Sequence, residues 1–141
     1  MSEKLDESLD HPAYLCGRLL AVYDGLQYFA HHPRKVNATV SDRYYALASV
    51  YPQLAFPRLT HLSLKHLQKL RGAPTKRGLW FTFRRQIEEL HARLAERGAK
   101  YPPPLSLEDQ GRFAIGFHHQ RAEVTARSQA SDEELEKGDA Q

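Results

Sequence analysis

The sequence predicts an all-α protein, a compact helical bundle of about five helices between short acidic disordered tails. Three observations carry this prediction. Apolar residues recur at three- and four-residue steps in five segments, the spacing that puts them on one helix face. No segment alternates apolar and polar residues as a half-buried strand would. Pro and Gly fall at the ends of the periodic segments, where they start and stop helices. The 141 residues and 16.2 kDa suit one domain with a real core. The division expected is an acidic mobile N-terminus at 1–10, a bundle at 11–127 and an acidic disordered tail at 128–141.

The first helix opens at His11 and Pro12, because a first-turn Pro loses no hydrogen bond. Leu15, Leu19, Val22, Leu26 and Phe29 form its stripe, widened by Cys16, Leu20 and Tyr23, so it is expected at the centre of the core. Gly17 and Gly25 inside it cost about 1 kcal/mol each against Ala, which suggests close approach of a neighbour. Thr39 and Asp42 resemble a capping box. They would start a second helix ending near Tyr51 and burying Tyr44, Leu47, Ala48 and Tyr51. Pro57 is expected to open a third, with Leu59, Leu62, Leu67 and Leu70 apolar and Gly72 at its end. A flexible basic loop, 72–78, would lead into a fourth helix from about Leu79 to Arg97, lined by Trp80, Phe83, Ile87, Leu90 and Leu94 and closed by Gly98. Tyr101 and the three prolines after it read as a stiff spacer. Ser106 with Asp109 would cap a fifth helix that buries Phe113, Phe117 and Val124 and fades near Arg127.

Charge is segregated. Residues 11–127 hold eighteen Lys and Arg against eight Asp and Glu, a net +10, whereas the whole chain is +3 because both ends are acidic. No acid occurs between Asp42 and Glu88, while nine Lys and Arg do. A one-signed field of this length points to an anionic partner, most commonly nucleic acid. The phosphate contacts expected are Lys65, Lys69, Lys76, Arg77, Arg84 and Arg85, with Arg58, Arg71, Arg34 and Lys35 secondary. His61, Lys65 and Lys69 stand at four-residue steps as one strip on the third helix. Tyr45 and Phe81 lie off their apolar stripes and are the candidates for stacking on bases. No helix-turn-helix, RNA-recognition-motif or zinc-finger signature is visible, so base-specific readout is not expected.

Other chemistries find little support. The single Cys16 excludes an intramolecular disulfide and a thiolate-rich zinc site, and on an apolar stripe it reads as a core thiol. His31-His32 and His118-His119 are adjacent pairs, whose side chains point about 100° apart on a helix. His61 and His66 are five apart, and H-E-x-x-H is absent, so no metal site is expected. Glu88 and Glu89 read as solvated partners of Arg85 and Arg93. No G-x-S-x-G, phosphate-binding glycine loop or paired carboxylate constellation occurs, so neither an enzyme nor a cofactor is expected. With no run of 18 apolar residues and an acidic start, the expectation is a cytoplasmic protein without membrane contact.

Three blocks carry a family resemblance. Tyr14-Leu15-Cys16-Gly17-Arg18-Leu19, with Ala21-Val22 and Gln27, resembles the "YLLGRLFAVLE..Q" helix of the large subunit of type I-C CRISPR Cascade complexes. Residues 37–44, with Ala48, Pro52, Phe56-Pro57 and His66-Leu67, are similar to that family's next block. Residues 105–116 with His119-Gln120-Arg121 are similar to its C-terminal signature, which ends in a "GYYHQR"-like run; here Phe117-His118 stand where the two tyrosines would. The resemblance covers roughly residues 12–123, in order.

It implies the C-terminal helical region of the large subunit, which type I-C systems also make separately, from an internal start, as the Cascade small subunit. A 141-residue chain starting at its own Met fits that product. The implied partners are the Cascade backbone and large subunits, further copies of the chain, and the guide RNA–target DNA R-loop with its displaced strand. The implied role is non-catalytic: binding nucleic acid without sequence specificity and stabilising the R-loop in antiviral defence. R-loop exchange is nearly balanced energetically, so modest backbone contacts can tip it. The alternative is a scaffold that bridges backbone subunits and touches no nucleic acid.

Overall fold

The structure is a computed structural model and describes residues 8–97 and 101–139, with side chains as far as Val124. Five helices carry the described chain: α1 Pro12–His31, α2 Val40–Val50, α3 Pro52–Gly72, α4 Arg77–Glu96 and α5 Leu107–Asp139. No strand occurs among the described residues. The N-terminal residues 1–7 of the expected mobile segment, and Gly98, lie outside the description. The backbone of α5 runs on to Asp139, through most of the tail expected at 128–141, whose side chains are also outside the description.

α1 is the axis of the bundle. It packs against α2, α3, α4 and α5, and burial extends around it, from Ala13 and Tyr14 through Leu26 to Phe29 and Ala30. A helix apolar on all sides must be surrounded. His11 caps its start, with Nδ1 accepting from the Ala13 N–H at 3.1 Å, and Pro12 fills the first turn. Its few polar groups are used in packing. Asp24 and Gln27 accept from the Ser41 and Val40 amides at 2.9 Å, adding two side-chain caps to the start of α2 beside its own Thr39–Asp42 capping box.

Three expectations are corrected here. α3 starts at Pro52, not Pro57. Pro52 takes the first-turn position that suits proline, and Tyr51 serves as the end of α2 and the start of α3 together. Pro57 sits inside α3, where it forfeits one backbone bond; the helix continues because Ala55, Phe56 and Leu59 are buried on either side of it. Leu47 and Tyr51, expected in the core, are 37% and 45% exposed. α2 buries Ala48 as expected, and Val40 and Ser49 in place of those two. The expected flexible loop 72–78 is a one-turn 3-10 helix, Pro74–Lys76, running directly into α4.

The remaining elements follow the apolar spacing. Phe83, Ile87, Leu90 and Leu94 are the buried line of α4, and Phe113 and Phe117 anchor α5. The spacer after α4 is not a free strut. Tyr101 and Pro102 are buried, Tyr101 stacks on Phe56 at 5.3 Å, and the Leu105 amide donates to the Val50 carbonyl. Tyr23, Thr60, His91 and Tyr101 share a polar knot inside the bundle: the Tyr23 hydroxyl meets Thr60 at 3.1 Å and His91 Nε2 at 3.3 Å. Burial pushes the Cys16 thiol up to about 12, so it is a core thiol.

Candidate nucleic-acid interface

The basic stretch divides into two clusters because Lys69 and Arg71, two residues apart on α3, project about 200° from each other. Arg71 faces the start of α4. Its guanidinium lies 5.5 Å from the centre of the Trp80 ring, and that of Arg84 lies 5.2 Å from it. Two cations within reach of one indole polarise it from both sides of the sequence and fix its position. Phe81 meets Trp80 edge to face at 4.6 Å and is 62% exposed. An open hollow of about 410 Å³ is lined by Arg71, Arg77, Trp80 and Phe81. A second, of about 450 Å³, is lined by Phe81, Thr82, Arg84, Arg85 and Glu88. Phe81 is the ridge between the two hollows.

The local sequence explains why this surface stays cationic. α4 has no side-chain cap and no acid in its first turn, so the positive end of the helix adds to the guanidiniums. Gly78 in that turn has nothing within 4 Å of where a side chain would begin, leaving backbone open to approach. Arg71, Arg77 and Arg85 have no carboxylate partner among the described residues; Arg84 pairs with Glu88 at 3.0 Å, in solvent. An exposed pair of that kind is worth at most about 1 kcal/mol and exchanges readily for a phosphate. Glu88 thus pairs with Arg84 rather than Arg85, and Arg93 donates to the Leu9 carbonyl.

The other cluster gathers at the C-terminal end of α1. Lys69 Nζ lies 3.1 Å from His31 Nδ1, and the His31 and His66 rings meet edge to face at 5.2 Å. Lys76, expected to face a phosphate, points inward. Its ammonium donates to the Phe29 and His32 carbonyls at 3.0 and 2.7 Å, closing the negative end of α1. Burial first and the Lys69 charge second hold its pKa below the ordinary lysine range. Lys65 and Arg58 are exposed on the Lys69 side of α3, and Arg34 and Lys35 are exposed just beyond α1. Tyr45 is corrected as a stacking candidate: its ring packs on Phe113 and Phe117 at 5.4 and 5.1 Å. The apolar side of its ring was needed by the core.

Sequence spacing missed two features. Trp80 lies on the apolar line of α4, yet it is only half-buried and collects the guanidiniums. His31 and His66 are 35 residues apart, beyond the reach of any local spacing rule, and the fold brings them to each other. No group of three or more metal-ligating side chains is present among the described residues.

The blocks that carry the family resemblance meet one another. The Tyr14 hydroxyl and His119 Nδ1 are 3.0 Å apart, and Arg18 Nε donates to Gln120 Oε1 at 3.0 Å, both buried. Between these bonds Gly17 lies against the backbone of Phe113 and Phe117, and Gly116 against that of Tyr14. The motif residues of α1 and α5 are therefore a packing clamp between the two helices. Phe117 is buried and His118 exposed in the pair that replaces two tyrosines.

Among the described residues the arrangement defines an all-helical protein whose motifs build the frame and whose surface carries most of the cations. Residues 1–125 match the CRISPR-associated protein (Cas_Csd1) family, and the chain belongs to that family. It is a CRISPR-associated, Cascade-type protein, as the three sequence blocks imply. No curated protein matches the chain. No helix among the described residues is long and apolar enough to cross a membrane.

Proposed function

We propose that the chain is the non-catalytic small subunit of a type I-C Cascade complex, holding a nucleic-acid strand without reading its sequence. The observation that carries this reading is the surface at the start of α4. Arg71, Arg77, Arg84 and Arg85 surround an exposed Phe81 and a half-exposed Trp80, with no acid in the first helical turn. Guanidiniums take phosphates, and an exposed ring offers a stacking face that accepts any base. Such groups hold a strand and break no bond in it. The displaced DNA strand of the R-loop is the partner of this chemistry, reached in the cytoplasm. The exposed Leu47, Tyr51 and Leu54 at the α2–α3 junction offer an apolar surface to Cascade backbone or large subunits or to further copies.

Anisotropy titration of labelled single-stranded DNA at several salt concentrations tests the reading. Each phosphate contact contributes about 0.7 to the log–log salt slope of a single strand. The Arg71→Ala/Arg77→Ala/Arg85→Ala variant is expected to lose about 2 from that slope, and Phe81→Ala to cost about 1–3 kcal/mol of affinity across all base compositions. Strand length is expected to stay unchanged on incubation with Mg²⁺. A triple variant with the parent's affinity and slope overturns the assignment of this surface. If the triple variant loses assembly with the backbone subunits while its assembled complexes keep full DNA affinity, the scaffold role is correct.

A further inference from the structure

The cluster at the end of α1 lies on the other side of α3 from the strand surface, and the strand reading leaves its chemistry unused. Lys69, His31 and His66 converge there, with Lys76 beneath them, Arg34 beyond the end of α1 and Lys65 one turn back on α3. His32, next in the chain, turns its ring to Tyr28 at 5.5 Å. No carboxylate pairs with any member of this cluster among the described residues. Nor do the neighbouring carbonyls supply negative charge. Those of Tyr28, Phe29, His31 and His32 already accept from His32 N–H, Lys76, Arg34 N–H and Lys76 respectively. Among the described residues the cluster holds ammonium and imidazole groups and no carboxylate, and these carbonyls each already accept one donor.

The bond between Lys69 and His31 fixes the tautomer. An ammonium can only donate, so Nδ1 of His31 carries the lone pair and the proton sits on Nε2. Both imidazoles are biased toward the neutral form. Burial first, then Lys69, Lys76 and Arg34 keep His31 below the ordinary histidine range. Burial first, then His31, Lys69 and Lys65 do the same for His66. Protonating His31 would put hydrogen on both ring nitrogens and break the bond to Lys69. It would then leave an ammonium beside a charged imidazole, with the His66 ring 5.2 Å away.

We propose that His31, His66 and Lys69 form a binding site for a tetrahedral oxyanion of the phosphate or sulfate type, which takes up a proton as it binds. The anion replaces the Lys69–His31 bond, accepting from Lys69 Nζ and from the imidazoles, and supplies the negative charge the cluster lacks. Binding and imidazole protonation favour each other by the same free energy. Affinity therefore rises as pH falls, and the anion raises the pKa of His31 and His66. This site is separate from the Trp80 surface, and its test does not depend on strand binding there.

Sulfate is the probe, because it stays fully ionised between pH 5 and 8. Histidine pKa values are read by NMR from the imidazole C2–H resonances of the full chain, with and without sulfate at matched ionic strength. The expected result is a rise of about one unit at His31 and His66, equivalent to about tenfold tighter binding to the protonated ring. Exposed His118 on α5 serves as the control and should stay still. Lys69→Gln, an exposed change on α3, is expected to remove the rise. A parallel titration with a short oligothymidylate identifies the source of the oxyanion. A rise with sulfate alone means a free ion, and a rise with the oligonucleotide, alone or as well, means backbone phosphate. No rise with either ligand beyond that at His118, or a full rise in Lys69→Gln, overturns the proposal.

Discussion

Gly17→Ala is expected to be among the most damaging single-methyl additions to this protein. A Cβ at Gly17 would stand 2.8 Å from the Phe117 amide nitrogen and 2.9 Å from the Phe113 carbonyl carbon, and closer still to the Phe113 oxygen. These are backbone atoms of α5, so no side chain can swing aside. The two helices would have to part, and overpacking of this kind costs about 1–3 kcal/mol. Parting them also loosens the Tyr14–His119 and Arg18–Gln120 bonds on either side, at about 1 kcal/mol each. Replacing a mid-helix Gly by Ala returns about 1 kcal/mol. The net is a loss of about 2–4 kcal/mol. With a urea m-value of about 2 kcal/mol/M, the midpoint followed by circular dichroism should fall by about 1–2 M. Gly111→Ala is the matched control: it lies in α5 with nothing within 4 Å, so only the propensity gain of about 0.5–1 kcal/mol remains. If Gly17→Ala unfolds within about 0.5 kcal/mol of the parent, or Gly111→Ala is the less stable of the two, the close-crossing argument is wrong.

Two further outcomes follow from the cluster at the end of α1. His31 and His66 have folded pKa values below the unfolded value of 6.5, so the unfolded chain binds protons first as pH falls. Their effect on stability is absent well above that value, and stability drops as pH passes down through it. Urea midpoints measured from pH 8 to pH 5 should decline, and the decline should flatten in His31→Gln/His66→Gln. Asp10 and Asp42, held below the usual carboxylate range by the Arg97 hydrogen bond and by the Thr39 amide respectively, act only at lower pH and leave that window clear. Lys76→Met removes two charge-assisted bonds from the last turn of α1 and is expected to cost about 1–2 kcal/mol by the same assay. Lys65→Met, exposed and without such partners, should be neutral within about 0.5 kcal/mol.

The helix count, the central position of α1 and the capping box at Thr39 were all legible in the sequence. Each rests on short-range physics: apolar spacing fixes a face, and a side chain three residues on fixes a cap. The acid-free run from Arg43 to Ile87 likewise marked where the cations would be, since composition alone sets net charge. Prediction from spacing failed wherever two elements compete for a residue. Pro57 looks like a helix start until the burial of Phe56 and Leu59 carries α3 through it. Tyr45 looks free until Phe113 and Phe117, almost seventy residues on, claim its ring.

What the sequence by itself determined was the class of fold, the family and the sign of the surface. Which cations are available was decided only by the tertiary structure. Lys76 is turned in because the open carbonyls of α1 lie beneath it, and a buried helix end must find a donor. Arg71 reaches Trp80 because α3 packs against α4, and Lys69 reaches His31 because α3 packs against α1, whereas Arg84 meets Trp80 one turn along α4 itself. Periodicity places a side chain on a face, but only packing sets what that face meets.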